Sequence, residues 1–542
     1  MSQHWLNQLI LLPVLLPALV GAALVMVNER HHQLKLAINM ASVMVVLACA
    51  LALLRLTDTG VFAEGIGVYL AANWAAPFGI VLVADRLSAL MLVLAAGLAL
   101  SALLFSAARW SRIGVHFHSL FQFLLMGLNG AFLTGDLFNL FVFFEVMLAA
   151  SYGLLLHGYN TTRVRAGMQY ITVNLLASFL FLIGVALIYG SAGSLNLADL
   201  AQRVASLNAH DRLLFETGAA ILAVAFLTKS AMWPLCFWLP GSYAAASPPV
   251  GAMMVLMTKV GFYVILRIWL VVFSDESGDS AQLGAQFLFW GGLATLAFGA
   301  IGLFASQEPG RMAGYSAIVS SGTLLAVLSF ADAALMASAV FYLLSSTLAV
   351  AAFLLLVELM ERLRTPVSAV LALTMEAFAM EDAPKESAGV AIPAAIAFLG
   401  LAFVGCALVI AGMPPLSGFL AKFSIFHDLL AASSGASLLP AVALLGLMLV
   451  AGLAAIISLM RLGVRTFWAN QSAPPPRLHP SEAAPVALLL LACVLMTVLA
   501  APLSDFLRRA TDGVHQPEAY IERVLGERPI PGPTTSATEA VP

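Results

Sequence analysis

The chain has 542 residues, of which 61% are hydrophobic and only 10% charged, with a mean hydropathy of +0.98. A soluble domain carries roughly 25% charged residues, so this composition excludes a water-covered globule. A net charge of −3 and a pI near 6.4 offer no basic face for nucleic acid.

Apolar runs of about 20 residues, the length that crosses a bilayer as helix, recur along the chain. They are continuous and not alternating, which predicts helices and not a barrel. No basic stretch precedes the first run, Leu9 to Val27, so it reads as a retained helix and not a cleaved signal peptide. In chain order the predicted helices are 8–27, 35–54, 86–107, 116–134, 137–157, 166–190, 214–234, 248–273, 284–305, 311–330, 333–357, 398–432, 439–462 and 484–506. The fold class is therefore an all-α polytopic membrane protein of about fourteen crossings. Residues 194–207 predict a short amphipathic helix at the interface. The charged stretch 358–389, which contains Pro366, reads as a cytoplasmic linker within a membrane domain of residues 1–506. Residues 507–542, rich in Pro, Thr and Glu, read as a disordered external tail.

Loop charges orient the chain. With both termini outside, the inner loops collect Arg30, Lys35, Arg109, Arg112, Arg163, Arg165, Arg311, Arg362, Arg364, Lys385, Arg461, Arg465 and Arg477. The outer loops hold Asp136, Asp275, Glu276 and Asp279. This is the positive-inside pattern of a bacterial inner-membrane protein. It holds only if 398–432, interrupted by Gly412-Met413-Pro414-Pro415, crosses once as a broken helix.

Three of the chain's five lysines, Lys229, Lys259 and Lys422, lie inside apolar runs. Each costs about 2.5–3.5 kcal/mol at the bilayer centre. Packing alone does not call for lysine there, whereas a desolvated amine takes up and releases a proton where a guanidinium cannot. Glu145, near the middle of 137–157, is the matching acid. A structural Glu145–Lys229 ion pair is the competing reading, but static contacts between helices are made more cheaply from Ser, Thr or Asn. His427, beyond Lys422, is either a further proton relay or a histidine at a helix end. Asp136 and Glu308 fall at predicted helix ends, where capping or solvation is expected.

Cys49, Cys236, Cys406 and Cys493 are widely spaced, without a CxxC or Cys/His cluster, so no metal or redox cofactor is expected. Lys229 is followed by Pro234 and Pro240, and Lys422 is preceded by Gly412-Met-Pro-Pro. Two broken helices that carry lysine point to an ion site in an inverted-repeat transporter.

At these residues the chain resembles a known family. The runs Thr134-Gly-Asp-Leu-Phe-Asn-Leu-Phe-Val-Phe-Phe-Glu145, Lys229-Ser-Ala-Met-Trp-Pro234 to Phe237-Trp-Leu-Pro240, Thr258-Lys-Val-Gly261 and Pro414-Pro-Leu-Ser-Gly-Phe-Leu-Ala-Lys422 are similar to antiporter-like membrane subunits. That family includes respiratory complex I pump subunits and the multisubunit Mrp-type (Pha or Sha) cation/proton antiporters. The resemblance spans roughly residues 80–465 and is nearest to the D subunits, through Trp238-Leu-Pro-Gly-Ser-Tyr243. Ser320 stands where relatives often carry histidine or glutamine.

The resemblance implies a non-enzymatic subunit of a hetero-oligomeric complex that exchanges Na⁺ or K⁺ for protons. Glu145 and Lys229 would be its central pair, Lys259 the link to a second half-channel and Lys422 the exit-side site. A proton-pumping subunit of complex I or of a membrane-bound hydrogenase is the alternative the same family offers. A scaffold that carries no ion is the third reading.

Overall fold

The computed structural model describes residues 3–158, 160–362, 394–432, 438–468 and 478–529. Among them are twenty α-helices and one short hairpin. The first half runs through α1 (Gln3–Gln8), α2 (Leu12–Met26), α3 (His32–Asp58), the antiparallel pair β1 (Gly67–Leu70) and β2 (Val81–Ala84), α4 (Arg86–Ala108), α5 (Phe117–Leu133), α6 (Leu137–Leu155) and α7 (Thr161–Ala192). Next come α8 (Leu197–Val204), α9 (Ala209–Lys229), α10 (Leu239–Ala245), α11 (Pro248–Val272), α12 (Ala285–Ala305), α13 (Pro309–Leu328) and α14 (Ala333–Glu361). The remainder is α15 (Ala394–Ala411), α16 (Ser417–Ala432), α17 (Leu438–Gly463), α18 (Pro480–Val498), α19 (Ala500–His515) and α20 (Pro517–Gly526).

Helix starts follow local chemistry. Side chains of Asp85, Asp136, Asn160, Asn196, Asn208 and Asp332 accept from the first free N–H groups of α4, α6, α7, α8, α9 and α14. Pro248 and Pro309 open α11 and α13, where no N–H is needed. Eleven helices among the described residues are long and apolar enough to cross a membrane. Of these, α11, α13 and α14 are the most completely buried inside the protein and form its centre, whereas α3, α7, α15 and α18 present much of their surface outward. Large side chains such as Phe179 and Leu401 face out from that rim, as expected where lipid replaces water.

The broken helices are both present. The first ends at Lys229, earlier than the expected 234, because Ala231 takes a left-handed conformation (φ 58°). The second is divided into α15 and α16 by residues 412–416. Contacts fix the two ends of this part of the bundle. Ser338 near the start of α14 meets Asp428 near the end of α16. At the other end, Arg461 in the last turn of α17 and Arg465 just after it reach the Phe304 carbonyl and Gln307. The latter end also gathers Arg109, Arg362 and Arg311, the predicted inner charges.

Two expectations need correction or restriction. The predicted linker 358–389 lies outside the described residues except for 358–362, where α14 ends. The tail expected to be unstructured from 507 is instead helical to Gly526, with 530–542 outside the described residues. Leu507, Ala510, Val514, Tyr520 and Val524 recur at helical spacing and are buried against the bundle, an amphipathic pattern that composition alone conceals.

One buried ion pair was also not foreseen. Arg267 on α11 donates to Asp85 at 2.5 Å and to Tyr263 Oη at 2.9 Å, and Tyr263 donates to the Phe132 carbonyl. Burial pushes the Asp85 carboxyl up, but the Arg267 guanidinium beside it, with the Ser88 N–H, holds it below the ordinary carboxylate range.

Candidate functional site

Lys229 is the last residue of α9 and is 1% exposed. Beyond it residues 230–238 leave the helix, and this unwound segment is pinned where Trp233 N donates to Thr295 Oγ1 (2.8 Å). Trp238 Nε1 returns to the Thr228 carbonyl at 3.3 Å, which satisfies one of the acceptors a helix end leaves free. Gly261 of α11 packs against this end. A Cβ there would lie 2.5 Å from Ser230 Oγ and 2.9 Å from the Phe226 carbonyl, so the approach of α11 to α9 requires glycine.

The Lys229 ammonium donates to Tyr170 Oη and Asn174 Oδ1, each at 3.2 Å. Aromatic rings close the remaining sides, with Nζ 5.2 Å from the Tyr170 centroid, 5.8 Å from Phe144 and 6.0 Å from Trp238. Such faces favour a cation while excluding water. Tyr170 Oη in turn meets Ser151 Oγ at 2.8 Å.

Glu145, half-buried on α6, accepts from Ser178 Oγ. Among the described residues it forms no direct ion pair with Lys229; instead α7 stands between them. Tyr170, Asn174 and Ser178 are spaced i, i+4, i+8 and therefore share one helix face. Two of these groups hold the lysine and the third holds the carboxylate. The polar line from Ser178 to Tyr170 covers about 12 Å of helix at 1.5 Å per residue. These α7 residues were missed at the sequence level. Their signal was present as three polar side chains at four-residue spacing in an otherwise apolar run.

Lys259, also 1% exposed, donates to Ser320 Oγ at 2.8 Å, and Ser320 meets Ser346 Oγ at 2.8 Å. Two serines, on α13 and α14, thus follow the amine in line. Next to Ser346 is a small cavity of about 20 Å³, also walled by Ser316, Tyr342, Ser345, Gly418 and Lys422. Its size suits a single water, which needs roughly 10–15 Å³.

Lys422 on α16 donates to the Ala411 carbonyl (2.8 Å) and the Ile410 carbonyl (3.4 Å) at the end of α15. Helix C-termini carry free carbonyls and partial negative charge, so the break creates the cation's seat. Gly412 makes it possible: its φ is +78°, and a Cβ would fall 2.6 Å from Lys422 Cδ. The break therefore supplies both the ligands and the space.

Of the other candidates, Asp136 caps α6 and Glu308 pairs with Arg311 at 2.9 Å on the surface. His427 is exposed near the end of α16 and contacts Asp428. Among the described residues no group of three or more His, Cys, Asp or Glu is placed to hold a metal ion.

The structure thus carries two buried polar lines. One joins Glu145 to Lys229 through α7; the other joins Lys259 to Ser346 and the cavity of Lys422. Between them, α9 and α11 touch at Ser230 and Gly261, two residues from Lys259.

Known proteins share this arrangement of helices. The family described as "NADH:quinone oxidoreductase/Mrp antiporter, TM" matches residues 134–448. A Rhizobium meliloti protein, named as the probable D subunit of a K(+)/H(+) antiporter, is 53% identical over 528 residues, covering 96% of this chain and 98% of the relative. The D subunit of the Na(+)/H(+) antiporter of Alkalihalophilus pseudofirmus is 33% identical, with 96% and 100% covered. Among solved structures, a chain of the Mrp complex from Dietzia sp. superposes with a TM-score of 0.81 at 27% identity, covering 97% of this chain and all of that one. A chain of respiratory complex I from Thermus thermophilus gives 0.72 at 20% identity over 96% of this chain and all of the other, a likeness of fold alone.

Proposed function

The chain belongs to the NADH:quinone oxidoreductase/Mrp antiporter membrane family, and from that premise we propose that it works as the D-type subunit of a multisubunit cation/proton antiporter. Its relatives are transporter subunits and not enzymes. In this reading it assembles with other membrane subunits in a bacterial inner membrane and supports the exchange of cytoplasmic Na⁺ or K⁺ for external protons. The higher identity to the relative named for K⁺ favours that ion. It crosses the bilayer about fourteen times, with both termini outside.

The observation that carries the proposal is the placement of three lysines in apolar helices, Lys229 and Lys259 buried and Lys422 half-buried, each held by neutral oxygens. Tyr170 and Asn174 hold Lys229, Ser320 holds Lys259, and two backbone carbonyls hold Lys422. A lysine that served only as structural glue would be neutralised by a carboxylate, as Arg267 is by Asp85 in this same protein. Neutral partners leave the amine free to change its charge. Protons would then move from Glu145 along α7 to Lys229, across the α9–α11 contact to Lys259, and through Ser320, Ser346 and one water to Lys422. Each arrival of charge at one lysine disfavours charge at the next, which couples the steps.

The test is exchange in everted vesicles of an antiporter-deficient bacterium expressing the whole complex, with K⁺ and Na⁺ offered in turn. Cation-dependent dissipation of a preformed pH gradient is the expected result. A complex that assembles and leaves the gradient intact with both ions would remove the proposal. A redox-driven pump would also show electron-transfer dependence that this complex should lack.

A further inference from the structure

The path above ends at the half-buried Lys422 and needs a way out of the protein. A second cavity, of about 270 Å³, opens beyond it and is lined by Ser338, Ser424, His427, Asp428, Ser504 and Arg508 among others. It lies between the start of α14, the end of α16 and the amphipathic helix α19. This is the end opposite Arg362, Arg461 and Arg465, hence the outer end by the distribution of positive charge.

Asp428 is only 8% exposed, and both carboxylate oxygens are engaged: Ser338 Oγ donates to one, and His427 Nδ1 lies 2.9 Å from the other. The His427 side chain is 69% exposed, so a single residue connects the buried carboxylate to water. On the inward side, Ser338, Tyr342, Ser345 and Ser346 are spaced i, i+4, i+7, i+8 and share one face of α14. Tyr342, Ser345 and Ser346 already wall the small cavity of Lys422, and Ser345 meets Ser417 of α16 at 2.8 Å. From Ser338 to Ser346 this hydroxyl face spans about 12 Å.

We propose that Asp428, with His427 and Ser338, is the outer proton port of this subunit, exchanging protons with Lys422 along the hydroxyl face of α14 and passing protons but not the metal cation. The port rests on the exchanger reading given above. Its selectivity follows from two features. Hydroxyl groups hand on protons by exchanging hydrogen bonds, without moving an ion, whereas Na⁺ or K⁺ would need several free oxygens at once. Arg508, on the α19 side of the cavity, adds a fixed positive charge that opposes cation entry. Helix α19 is held in place by Thr511 Oγ1, which donates to the Ala333 carbonyl at 3.1 Å, so the C-terminal helices form part of the port.

The experiment uses the whole complex in oriented vesicles. Ser424→Cys introduces a thiol into the cavity, while the four native cysteines are buried and stay silent. A membrane-impermeant maleimide should label Ser424→Cys from the outer face only. Exchange by the Ser424→Cys complex should fall at least tenfold on labelling, relative to the same complex unlabelled. Asp428→Asn should lower exchange at least tenfold in a complex that still assembles, and Asp428→Glu should retain a substantial part. Labelling from the inner face, labelled protein that exchanges normally, or an Asp428→Asn complex at the parent rate would each overturn the port. A Glu145→Ala complex measured alongside separates the two ideas. If it is inactive while Asp428→Asn is normal, only the port fails; if both are normal, the exchanger reading fails with it.

Discussion

Replacing Lys229 by methionine separates a relay lysine from a structural one. The substitution preserves most of the volume between Phe144, Tyr170 and Trp238 and removes the ammonium. Asn174 Oδ1 then loses its donor, at a cost of about 1–3 kcal/mol, while Tyr170 keeps its hydrogen bond with Ser151. Against that stands the desolvation of a buried ammonium held only by neutral oxygens, a penalty of several kcal/mol that disappears with the charge. Relief of the desolvation outweighs the missing hydrogen bond, so the variant should unfold at the same temperature as the parent complex or higher. Exchange should nevertheless fall about a hundredfold or more, because methionine holds no proton. Lys229→Arg should be equally inactive, since guanidinium stays protonated at any accessible pH. Thermal unfolding of the purified complex and exchange in everted vesicles measure both quantities. A structural lysine predicts the reverse order, with arginine tolerated and methionine damaging assembly. An active Lys229→Met exchanger would rule out Lys229 as a proton carrier.

Asp85→Asn should destabilise the protein by about 3–5 kcal/mol by leaving Arg267 buried without its carboxylate, and adding Arg267→Met should recover most of the loss; unfolding of the single and double variants decides this. Because the Asp85 carboxyl sits below its ordinary range in the folded protein, its contribution is complete above an unfolded value of about 3.9 and is lost only as pH falls through the folded one. Stability measured from pH 5 to 8 should therefore not change on account of this pair. Gly412→Ala should cost on the order of 1–3 kcal/mol, from a left-handed backbone and a clash with Lys422, and should lower exchange with it. Reporter fusions after residues 110, 163 or 468 should report cytoplasm, and those after 278 or at the C-terminus should report periplasm.

What could be read from the sequence was set by how local its cause is. Spanning helices arise from runs of apolar residues, and the α15–α16 break from Gly412 and two prolines, so both were legible. Lys229, Lys259 and Lys422 stood out because a charge in an apolar run is costly wherever its partners lie. Arg267 sits in the same run as Lys259 and was passed over, although the same cost applied. Its partner Asp85 is 182 residues away, and nothing local links the two. The α7 stripe of Tyr170, Asn174 and Ser178 was visible as spacing, but its meaning depends on which helices face it. The expectation of Glu145 directly beside Lys229 omitted α7, whose Ser178 meets the carboxylate and whose Tyr170 and Asn174 meet the lysine. Helices α19 and α20 were hidden by their polar composition, since a helix that lies on the bundle surface needs only a narrow apolar face. Asp428 was not singled out because a lone acid at a helix end usually meets solvent, and only the fold shows it buried behind His427.

Proton transfer through Glu145 and the three lysines stands or falls on the exchange activity of a Glu145→Ala complex. Removing the carboxylate costs one hydrogen bond, from Ser178, at a half-buried site, so assembly should survive. A fully assembled complex with no cation-dependent proton flux in vesicles is expected, with partial flux restored by Glu145→Asp. Flux at the parent rate from the assembled Glu145→Ala complex would contradict it.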